Sequence, residues 1–262
     1  MTITYVTITY NAASVLQRTL DSVLSQDYPD ITHLIVDGAS TDGTLEMVND
    51  YIERSNAADN GHKVLVMSEP DKGIYDAMNK GLRSLDGDYV CFLNAGDFLP
   101  SSDTVSRIVE MFNVQCSMFN VQLPAVLYGD TDIVDGEGHF LHHRRLAPPE
   151  NLTWKSFRQG MLVCHQAFYA RTDFAIATPY DQQYRYSADV DWCIRVMKAA
   201  AKENVPLLNL HMVVVNYTEE GQTTLHHRES LMERYRVMNR HYGYIQTFLM
   251  HCWFTIRAFI KK

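Results

Sequence analysis

Polar residues that could bind a charged ligand follow the apolar, β-branched segments of this sequence. Four of them stand where predicted strands end, or shortly afterwards: Asn11, Asp37, Asp71 and Asp97. The carboxyl ends of parallel strands meet at one edge of a sheet, and ligands of such sheets bind there. Carboxylate oxygens at that edge suit a divalent metal ion and a nucleotide diphosphate. We therefore expect this edge to carry the chemistry of the protein.

The elements that must position these residues alternate between strands and helices. Strands are predicted at residues 3–9, 32–36, 63–67 and 89–93. Apolar residues recur at helical spacing after each of the first three strands, and Ser14 with Gln17 resembles a capping box at the start of the first helix. This alternation indicates βαβ units and a mainly parallel sheet flanked by helices. Further along, we expect a helix at 189–201 and strands at 125–128 and 207–216.

Composition argues against several classes of protein. The content of apolar residues (46%) and charged residues (21%) is typical of a soluble globular protein. The net charge of −8 argues against a nucleic-acid partner, because binding to a phosphate backbone requires a basic surface. Five cysteines without a Cys-x-x-Cys pair favour reduced thiols and a cytoplasmic location. The N-terminus lacks the basic n-region of a signal peptide, and no uncharged apolar run reaches the ~18 residues of a membrane span.

The charge of the chain changes sign near its C-terminus. After Glu233 there is no acidic residue, and the basic residues are Arg234, Arg236, Arg240, Arg257, Lys261 and Lys262. From Tyr244 onward, apolar residues recur near one helical face: Ile245, Phe248, Leu249, Cys252, Ile256 and Phe259. A basic amphipathic helix can lie in a membrane interface, which would place the protein peripherally at the inner face of the cell membrane. Docking on the protein's own core or on a second copy is the open alternative.

Three segments together resemble the motifs of one enzyme family. Thr7-Ile8-Thr9-Tyr10-Asn11 resembles its first strand and asparagine turn, and Val36 to Thr44 resembles the segment written V-D-D-G-S-T-D-G-T. Asp71 to Asp97 is similar to the branch that carries D-x-G-x-Y-D-A-M-N-K-G and then L-N-x-G-D. In this order and spacing, the motifs resemble family 2 glycosyltransferases over most of residues 3 to 197. The resemblance implies a GT-A type α/β fold, with a mainly parallel, Rossmann-like sheet flanked by helices. We divide it into a nucleotide-sugar-binding and catalytic domain at residues 1–205 and a C-terminal strand and amphipathic helical extension at residues 206–262.

The sequence departs from the family pattern at two points. Gly38 follows Asp37 where the family often has a second aspartate, and Asn94-Ala95-Gly96-Asp97 replaces the usual Asp-x-Asp. One metal carboxylate thus becomes an amide. The resemblance implies that Asp97 is the ligand of a Mg²⁺ or Mn²⁺ cofactor, which can use one carboxylate together with donor phosphates and water. The alternative for Asp97 is a turn or helix-cap residue.

The resemblance also implies which residues bind the nucleotide-sugar donor. Asp37 would hydrogen-bond the base or ribose, and Gly73 would let the backbone approach the donor closely. The implied set is Thr9, Tyr10, Asn11, Asp37, Ser40, Asp71, Lys72, Gly73, Asp76, Asn79, Asn94, Ala95 and Gly96. The alternative for Asp37 is a helix cap, and for Asp76 and Asn79 it is an ordinary position on a helix surface.

The general base is implied by a second short segment. Asp189 in Tyr186-Ser187-Ala188-Asp189 aligns with the E-D segment of the family, whose aspartate deprotonates the acceptor hydroxyl. Asp191 is its local rival, and both carboxylates could instead simply begin a helix. The residues expected on the acceptor side are His165, Gln166, Asp191, Trp192 and Arg195, with a core role as the alternative for Trp192.

The resemblance implies an inverting, metal-dependent transferase of the hexosyltransferase type. Its donor would be a nucleotide-diphospho-sugar, with UDP as the expected nucleotide. Its acceptor would be a saccharide or lipid-linked saccharide in surface polysaccharide synthesis. A nucleotidyltransferase is an alternative, but it would need a glycine-rich, basic loop where this chain has Asn11-Ala12-Ala13-Ser14. A non-catalytic protein that binds a sugar nucleotide or a saccharide stays open because of Gly38 and Asn94.

Overall fold

The computed structural model describes residues 1–119, 123–219 and 227–260. Its strands are β1 (Ile3–Thr9), β2 (Ile31–Asp37), β3 (Lys63–Ser68), β4 (Tyr89–Phe92), β5 (Val126–Val134), β6 (Phe140–His143), β7 (Phe168–Arg171) and β8 (Leu207–Thr218). Its α-helices are α1 (Ala13–Leu24), α2 (Thr44–Ala58), α3 (Ile74–Arg83), α4 (Thr104–Phe119), α5 (Thr172–Ala177), α6 (Ala188–Lys202), α7 (His227–Tyr242) and α8 (Tyr244–Ile260). Short 3-10 helices occupy Ser156–Gln159 and His165–Ala167.

The described strands form one sheet in the order β3-β2-β1-β4-β7-β5-β6, and β8 pairs with β5. Strands β1 to β4 are mutually parallel, as the strand–helix alternation predicts. Strand β7 is antiparallel to both β4 and β5, so the sheet as a whole is mixed. Strand β8, which follows the boundary predicted after residue 205, runs parallel to β5 within this sheet.

The parallel half of the sheet is covered on both faces. All seven residues of β2 and six of the seven residues of β1 are buried. Near-continuous burial is typical of parallel strands that lie between layers of helices. Gly81 brings α3 close to β1, because a Cβ atom at this position would lie 2.8 Å from Cγ1 of Val6.

The start of α1 is stabilised from a neighbouring loop and not by the predicted capping box. The residue before the helix is Ala12, and no side-chain capping bond forms there. Instead, the backbone N–H of Ala12 donates to Oγ1 of Thr44 at 2.9 Å, and that of Ala13 donates to Oδ2 of Asp42 at 3.1 Å. The loops after β1 and β2 are therefore joined at the carboxyl edge of the sheet.

The helix α7 is joined to α6 by a buried ionic cluster. Asp191 is fully buried, and it accepts hydrogen bonds from Nε2 of His241 at 2.7 Å and from Nε of Arg195 at 2.5 Å. Arg195 also donates to the carbonyl oxygen of Pro179. The charged groups of both side chains thus bind other parts of the protein. The expectation that Asp191 and Arg195 face an acceptor is wrong.

Trp192 lies in the hydrophobic core and is fully buried. Its ring stacks on Tyr180 with centroids 4.9 Å apart, and the rings of Phe92 and Phe168 meet it edge-on. The expectation that Trp192 lies on the acceptor side is therefore wrong, and the core alternative is correct. A ring enclosed by three aromatic neighbours cannot also present a face to a sugar.

The helix α8 presents apolar side chains to solvent. The exposed ones are Tyr244, Ile245, Phe248, Leu249, Trp253 and Ile256. Within the described ranges, no helix is both long enough and apolar enough to cross a membrane.

We expect Trp192→Ala to lower the free energy of unfolding by about 3–5 kcal/mol, because it removes a fully buried aromatic ring and leaves a cavity. Urea unfolding followed by circular dichroism measures this change. The matched control is Trp253→Ala on α8, whose exposed side chain predicts a change within about 0.5 kcal/mol. Equal effects of the two substitutions would contradict the core placement of Trp192.

Candidate active site

The carboxyl ends of β1, β4 and β8 open onto a cleft of about 1240 Å³. Tyr10 and Asn11 follow β1, the turn from Asn94 to Asp97 follows β4, and Thr218 ends β8. Asp71 and Asp189 also line this cleft. The structure thus brings together the predicted metal ligand, the predicted base and most of the predicted donor-binding residues.

The turn from Asn94 to Asp97 is fixed by two other elements. Gly96 has a φ of +99°, a conformation that favours glycine. Its N–H donates to Oγ1 of Thr19 at 2.9 Å, and the Thr19 hydroxyl donates to the carbonyl oxygen of Asp97 at 2.8 Å. The hydroxyl of Thr218 donates to the carbonyl oxygen of Gly96 at 2.7 Å. Helix α1 and strand β8 therefore determine where the Asp97 side chain lies.

The carboxylate of Asp97 is 4% exposed, at the base of the cleft. Nε2 of Gln166 and the backbone N–H of Thr218 each donate to one of its oxygens, at 2.9 and 3.0 Å. Burial raises the pKa of Asp97 to about 6, although both hydrogen bonds and the nearby His165 lower it. A carboxylate can accept about four hydrogen bonds, so each oxygen keeps a lone pair for a ligand. A bound cation would favour the ionised form of this buried group.

Asn94 supplies a second oxygen for a cation. Its Oδ1 is buried and has no hydrogen-bond partner among the described residues. Carboxylate and amide oxygens are ligands that Mg²⁺ and Mn²⁺ accept. No group of three or more His, Cys, Asp or Glu side chains in the described ranges is arranged to hold a metal. Asp97 and Asn94 therefore fit a Mg²⁺ or Mn²⁺ that takes its other ligands from donor phosphates and water.

Asp189 lies in the first turn of α6, with its side chain 17% exposed. It accepts hydrogen bonds from the Tyr75 hydroxyl at 3.3 Å and from Nδ1 of His165 at 3.2 Å. Burial raises the pKa of Asp189, but the hydrogen bond and charge of His165, together with the charge of Arg234, outweigh it and leave the pKa below its ordinary value. The carboxylate is consequently ionised at neutral pH and ready to accept a proton.

His165 joins Asp189 to Asn94. An ionised carboxylate only accepts hydrogen bonds, so Nδ1 of His165 carries the proton that it donates to Asp189. Nε2 then accepts from Nδ2 of Asn94, 3.2 Å away. This assignment leaves Oδ1 of Asn94 as a free acceptor. His165 and Gln166 do line the cleft, and each contacts a carboxylate or amide of the site.

The donor side of the cleft is formed by the loops after β1 and β3. Tyr10 is 67% exposed, and Asn11 has a φ of +48°. The N–H of Asn11 donates to Oγ of Ser40, and its Oδ1 accepts from the N–H of Thr41. Asn11 therefore has a structural role in the loop, while the Tyr10 ring stays available to a ligand.

Asp71 occupies the space that a side chain at position 38 would need. A Cβ atom on Gly38 would lie 2.5 Å from Oδ2 of Asp71 and 3.2 Å from Cδ2 of Tyr10. Oδ1 of Asp71 accepts from the N–H of Gly73, whose φ of +120° favours glycine. The departure at Gly38 thus has a packing reason, since Asp71 brings a carboxylate to the same part of the cleft.

Asp37 does not face the cleft. It is fully buried, and each carboxylate oxygen accepts two hydrogen bonds, from Thr9 and the Ser40 hydroxyl at Oδ1 and from the Ser40 N–H and Ser68 at Oδ2. Burial raises the pKa of Asp37, but these bonds outweigh it and lower the pKa overall. These four bonds fill its acceptor capacity, and a direct bond from Asp37 to a base or ribose stays a prediction. With Thr9 and Ser40, it shapes the loop beneath the donor.

Asp76 and Asn79 of α3 do not line the cleft. Asp76 accepts from the N–H of Lys72 and from Nε2 of Gln182. Asn79 is buried and bonds to both backbone groups of Tyr180, at 2.9 and 2.7 Å. These residues anchor a loop, so their expected donor contact is wrong. Lys72 is exposed and also does not line the cleft.

Several cleft residues were not identified from the sequence: Arg18, Tyr75, Arg144, Arg185, Tyr217, Thr218 and Arg234. Tyr75 lies inside a recognised motif and one turn before Asn79, so its helical position could have identified it. The others come from segments without a motif. Arg234 belongs to the segment that was assigned to a separate extension.

Comparison with known proteins identifies the family. The profile described as "Glycosyl transferase family 2" matches residues 4–176. The PGL/p-HBAD biosynthesis glycosyltransferase of Mycobacterium bovis (strain BCG / Pasteur 1173P2) is 32% identical over 214 residues, which cover 81% of this chain and 75% of that relative. An uncharacterized glycosyltransferase of Mycobacterium tuberculosis (strain ATCC 25618 / H37Rv) is 29% identical over 197 residues, covering 74% of this chain and 68% of the relative.

Solved structures share the fold. S. aureus TarS in complex with UDP-GlcNAc superposes with a TM-score of 0.69 at 18% identity, over 91% of this chain and 65% of that one. A mannosyltransferase of Pyrobaculum calidifontis in complex with GDP-Man and Mn²⁺ gives a TM-score of 0.60 at 18% identity, over 91% of this chain and 64% of that one. The chain spans less than two thirds of these solved chains. The matches confirm the expected GT-A type α/β fold.

We expect Asp97→Asn to abolish activity and yet to stabilise the metal-free protein at alkaline pH. The folded-state pKa of Asp97 is raised to about 6, so its contribution to stability is present below pH ~4 and is lost as pH rises to about 6. Asparagine at position 97 does not ionise, so it does not lose this stability as the pH rises. It keeps the hydrogen bond from Thr218 and can donate to a reoriented Gln166. Urea unfolding at pH 8 should show a gain of about 2–3 kcal/mol over the wild type, and none at pH 4.

The control for this experiment is Asp103→Asn, which changes an exposed aspartate outside the cleft and should alter the free energy of unfolding by no more than about 0.5 kcal/mol. Addition of Mn²⁺ should stabilise the wild type more than Asp97→Asn. A variant that is destabilised equally at both pH values would contradict the burial cost assigned to Asp97.

Proposed function

The chain belongs to glycosyltransferase family 2, and on that premise we propose that it transfers a hexose, with inversion, from a UDP-linked donor to a saccharide or lipid-linked saccharide. The observation that carries this proposal is the meeting of Asp97 and Asp189 in one cleft. One carboxylate lies in the turn that replaces Asp-x-Asp, and the other begins the helix where the family places its base. The two are joined through Gln166 and His165.

The donor side supports a nucleotide ligand. The exposed Tyr10 ring offers a stacking surface beside the Asp71 carboxylate, and both side chains lie next to Gly38. Stacking on an aromatic ring stabilises a bound base by roughly 1–3 kcal/mol. Support for UDP comes from TarS, whose solved complexes contain UDP and UDP-GlcNAc.

The reaction would use the ionised Asp189 as general base. Asp189 accepts the proton of the acceptor hydroxyl while that oxygen bonds to the anomeric carbon. The bond from this carbon to the donor phosphate breaks on the opposite face, so nucleotide diphosphate leaves and the configuration inverts. His165 orients Asp189 through its Nδ1–H. When bound, Mg²⁺ or Mn²⁺ would stabilise the charge that develops on the leaving diphosphate.

Two features support a lipid-linked acceptor. The mycobacterial relatives are named for PGL/p-HBAD biosynthesis, which is glycolipid chemistry. The described part of α8 also exposes six large apolar side chains and carries no acidic residue. We propose that this face contacts an anionic membrane, since the sequence after Glu233 contains only basic charges.

We expect Asp189→Asn to reduce nucleotide release roughly 10²- to 10⁴-fold, because the amide cannot accept the acceptor proton. The assay measures release from UDP-linked and GDP-linked sugars with Mn²⁺ at pH 7. The matched control is Asp173→Asn, which changes an exposed aspartate in the first turn of α5 and should retain activity.

The same assay separates the alternatives. Binding of UDP without nucleotide release from any donor would favour a non-catalytic sugar-nucleotide-binding protein. Release of pyrophosphate from a nucleoside triphosphate would favour a nucleotidyltransferase. Unchanged release by Asp189→Asn would remove this residue from the reaction.

We expect the protein to sediment with vesicles that contain phosphatidylglycerol and much less with pure phosphatidylcholine vesicles. Ile245→Glu combined with Phe248→Glu should abolish this binding, because both changes place charge on the exposed face of α8. Phe140→Glu, at an exposed apolar position on β6, is the control. The alternative outcome is that the wild type forms dimers and does not bind vesicles. If the double substitution then disperses those dimers, the exposed face of α8 contacts a second copy of the chain.

A further inference from the structure

The helix α7 brings a charged side chain into the cleft without a partner for its Nε. Arg234 lines the cleft with Asp189, His165 and Tyr217. Its Nε is buried and forms no hydrogen bond within the described residues. An unpaired buried donor on a cation costs more than a neutral one, because the full desolvation penalty of the group is uncompensated. The charge of Arg234 already acts on the Asp189 carboxylate, but the Nε–H still lacks an acceptor, which a ligand in the cleft can supply.

The neighbouring Glu233 holds α7 against the loop that carries the base. Its carboxylate accepts hydrogen bonds from the backbone N–H groups of Arg185 at 2.8 Å, Tyr186 at 2.6 Å and Ser187 at 3.1 Å. Ser187 is the N-cap residue of α6, two positions before Asp189. The three hydrogen bonds of Glu233 therefore fix α7 against the loop before α6, and with it the position of Arg234 relative to Asp189.

Two other arginines of the cleft donate hydrogen bonds to backbone carbonyl groups, and the Arg185 guanidinium lies over the Tyr186 ring, 5.5 Å from its centroid. Arg18 donates to the carbonyl oxygen of Gly136. Arg144 donates to the carbonyl oxygens of Leu146, Met161 and Leu162. Arg234 differs from both in its buried, unpaired Nε. It is the cleft arginine whose geometry points most directly to an external anion.

We propose that Arg234 binds a phosphate group next to the general base. A guanidinium presents Nε–H and Nη–H in one plane, which matches two oxygens of a phosphate. The proposal rests on the transferase function above, which brings phosphate into the cleft from two sources. One is the diphosphate of the donor, and the other is the phosphate of a lipid-linked acceptor.

Calorimetric titration with UDP and with uridine tests the donor source. Arg234→Ala should weaken UDP binding roughly 10- to 100-fold, the range expected for a charge-assisted hydrogen bond, and leave uridine binding unchanged. Arg234→Lys keeps the charge without the planar fork and should give an intermediate loss. Arg236→Ala is the matched control, because Arg236 is exposed on the same helix and does not line the cleft.

Titration of the UDP-saturated protein with dodecyl phosphate tests the acceptor source. If the phosphate is that of the acceptor, Arg234→Ala should bind UDP normally and dodecyl phosphate at least roughly tenfold more weakly than the wild type. Equal affinity of the wild type and Arg234→Ala for both probes, with equal thermal midpoints, overturns the proposal. That result would leave the transferase function standing, whereas a wild type that binds UDP and releases no nucleotide would contradict the function and not the phosphate site.

Discussion

Two adjacent side chains of one 3-10 helix hold together the parts of the cleft. Gln166 donates to Asp97, and His165 donates to Asp189. This three-residue turn therefore fixes the position of Asp97 relative to Asp189. The turn follows a buried cysteine and leads directly into β7, which places it between the parallel and antiparallel halves of the sheet. Shifting β7 in register would therefore move both contacts at once. The mixed sheet thus holds this turn in place through β7.

The two carboxylates have opposite pKa shifts for a simple reason. Asp97 is buried among neutral hydrogen-bond donors, which do not offset the loss of water, and its pKa is raised to about 6. The pKa of Asp189 is lowered because it accepts a hydrogen bond from His165 and lies near the charge of Arg234. Groups whose environments separate their pKa values take different chemical roles. Asp97 therefore keeps its proton to a higher pH than Asp189 does.

Residues at strand ends illustrate how far sequence reasoning reaches. The alternation of apolar strands and helices correctly places Asn11, Asp37 and Asp97 at one edge, because backbone direction follows from parallel pairing. It does not tell which way a side chain points. Asp37 turns inward because four donors surround it, and Asp191 turns toward His241. A carboxylate at the right edge is thus a candidate ligand only if its neighbours leave its oxygens free.

The sequence by itself determined the parallel half of the sheet, the edge where ligands bind and the identity of Asp97 and Asp189 as candidates, since these depend on local periodicity and on motifs of a few residues. Only the tertiary structure decided that Thr218 supports Asp97, that Glu233 holds the loop before Asp189 and that Arg234 enters the cleft. These contacts join residues about 50 to 120 positions apart, or bring in a helix without any motif of its own. Their geometry follows from how the layers pack, and packing over such separations leaves no periodic trace in the chain.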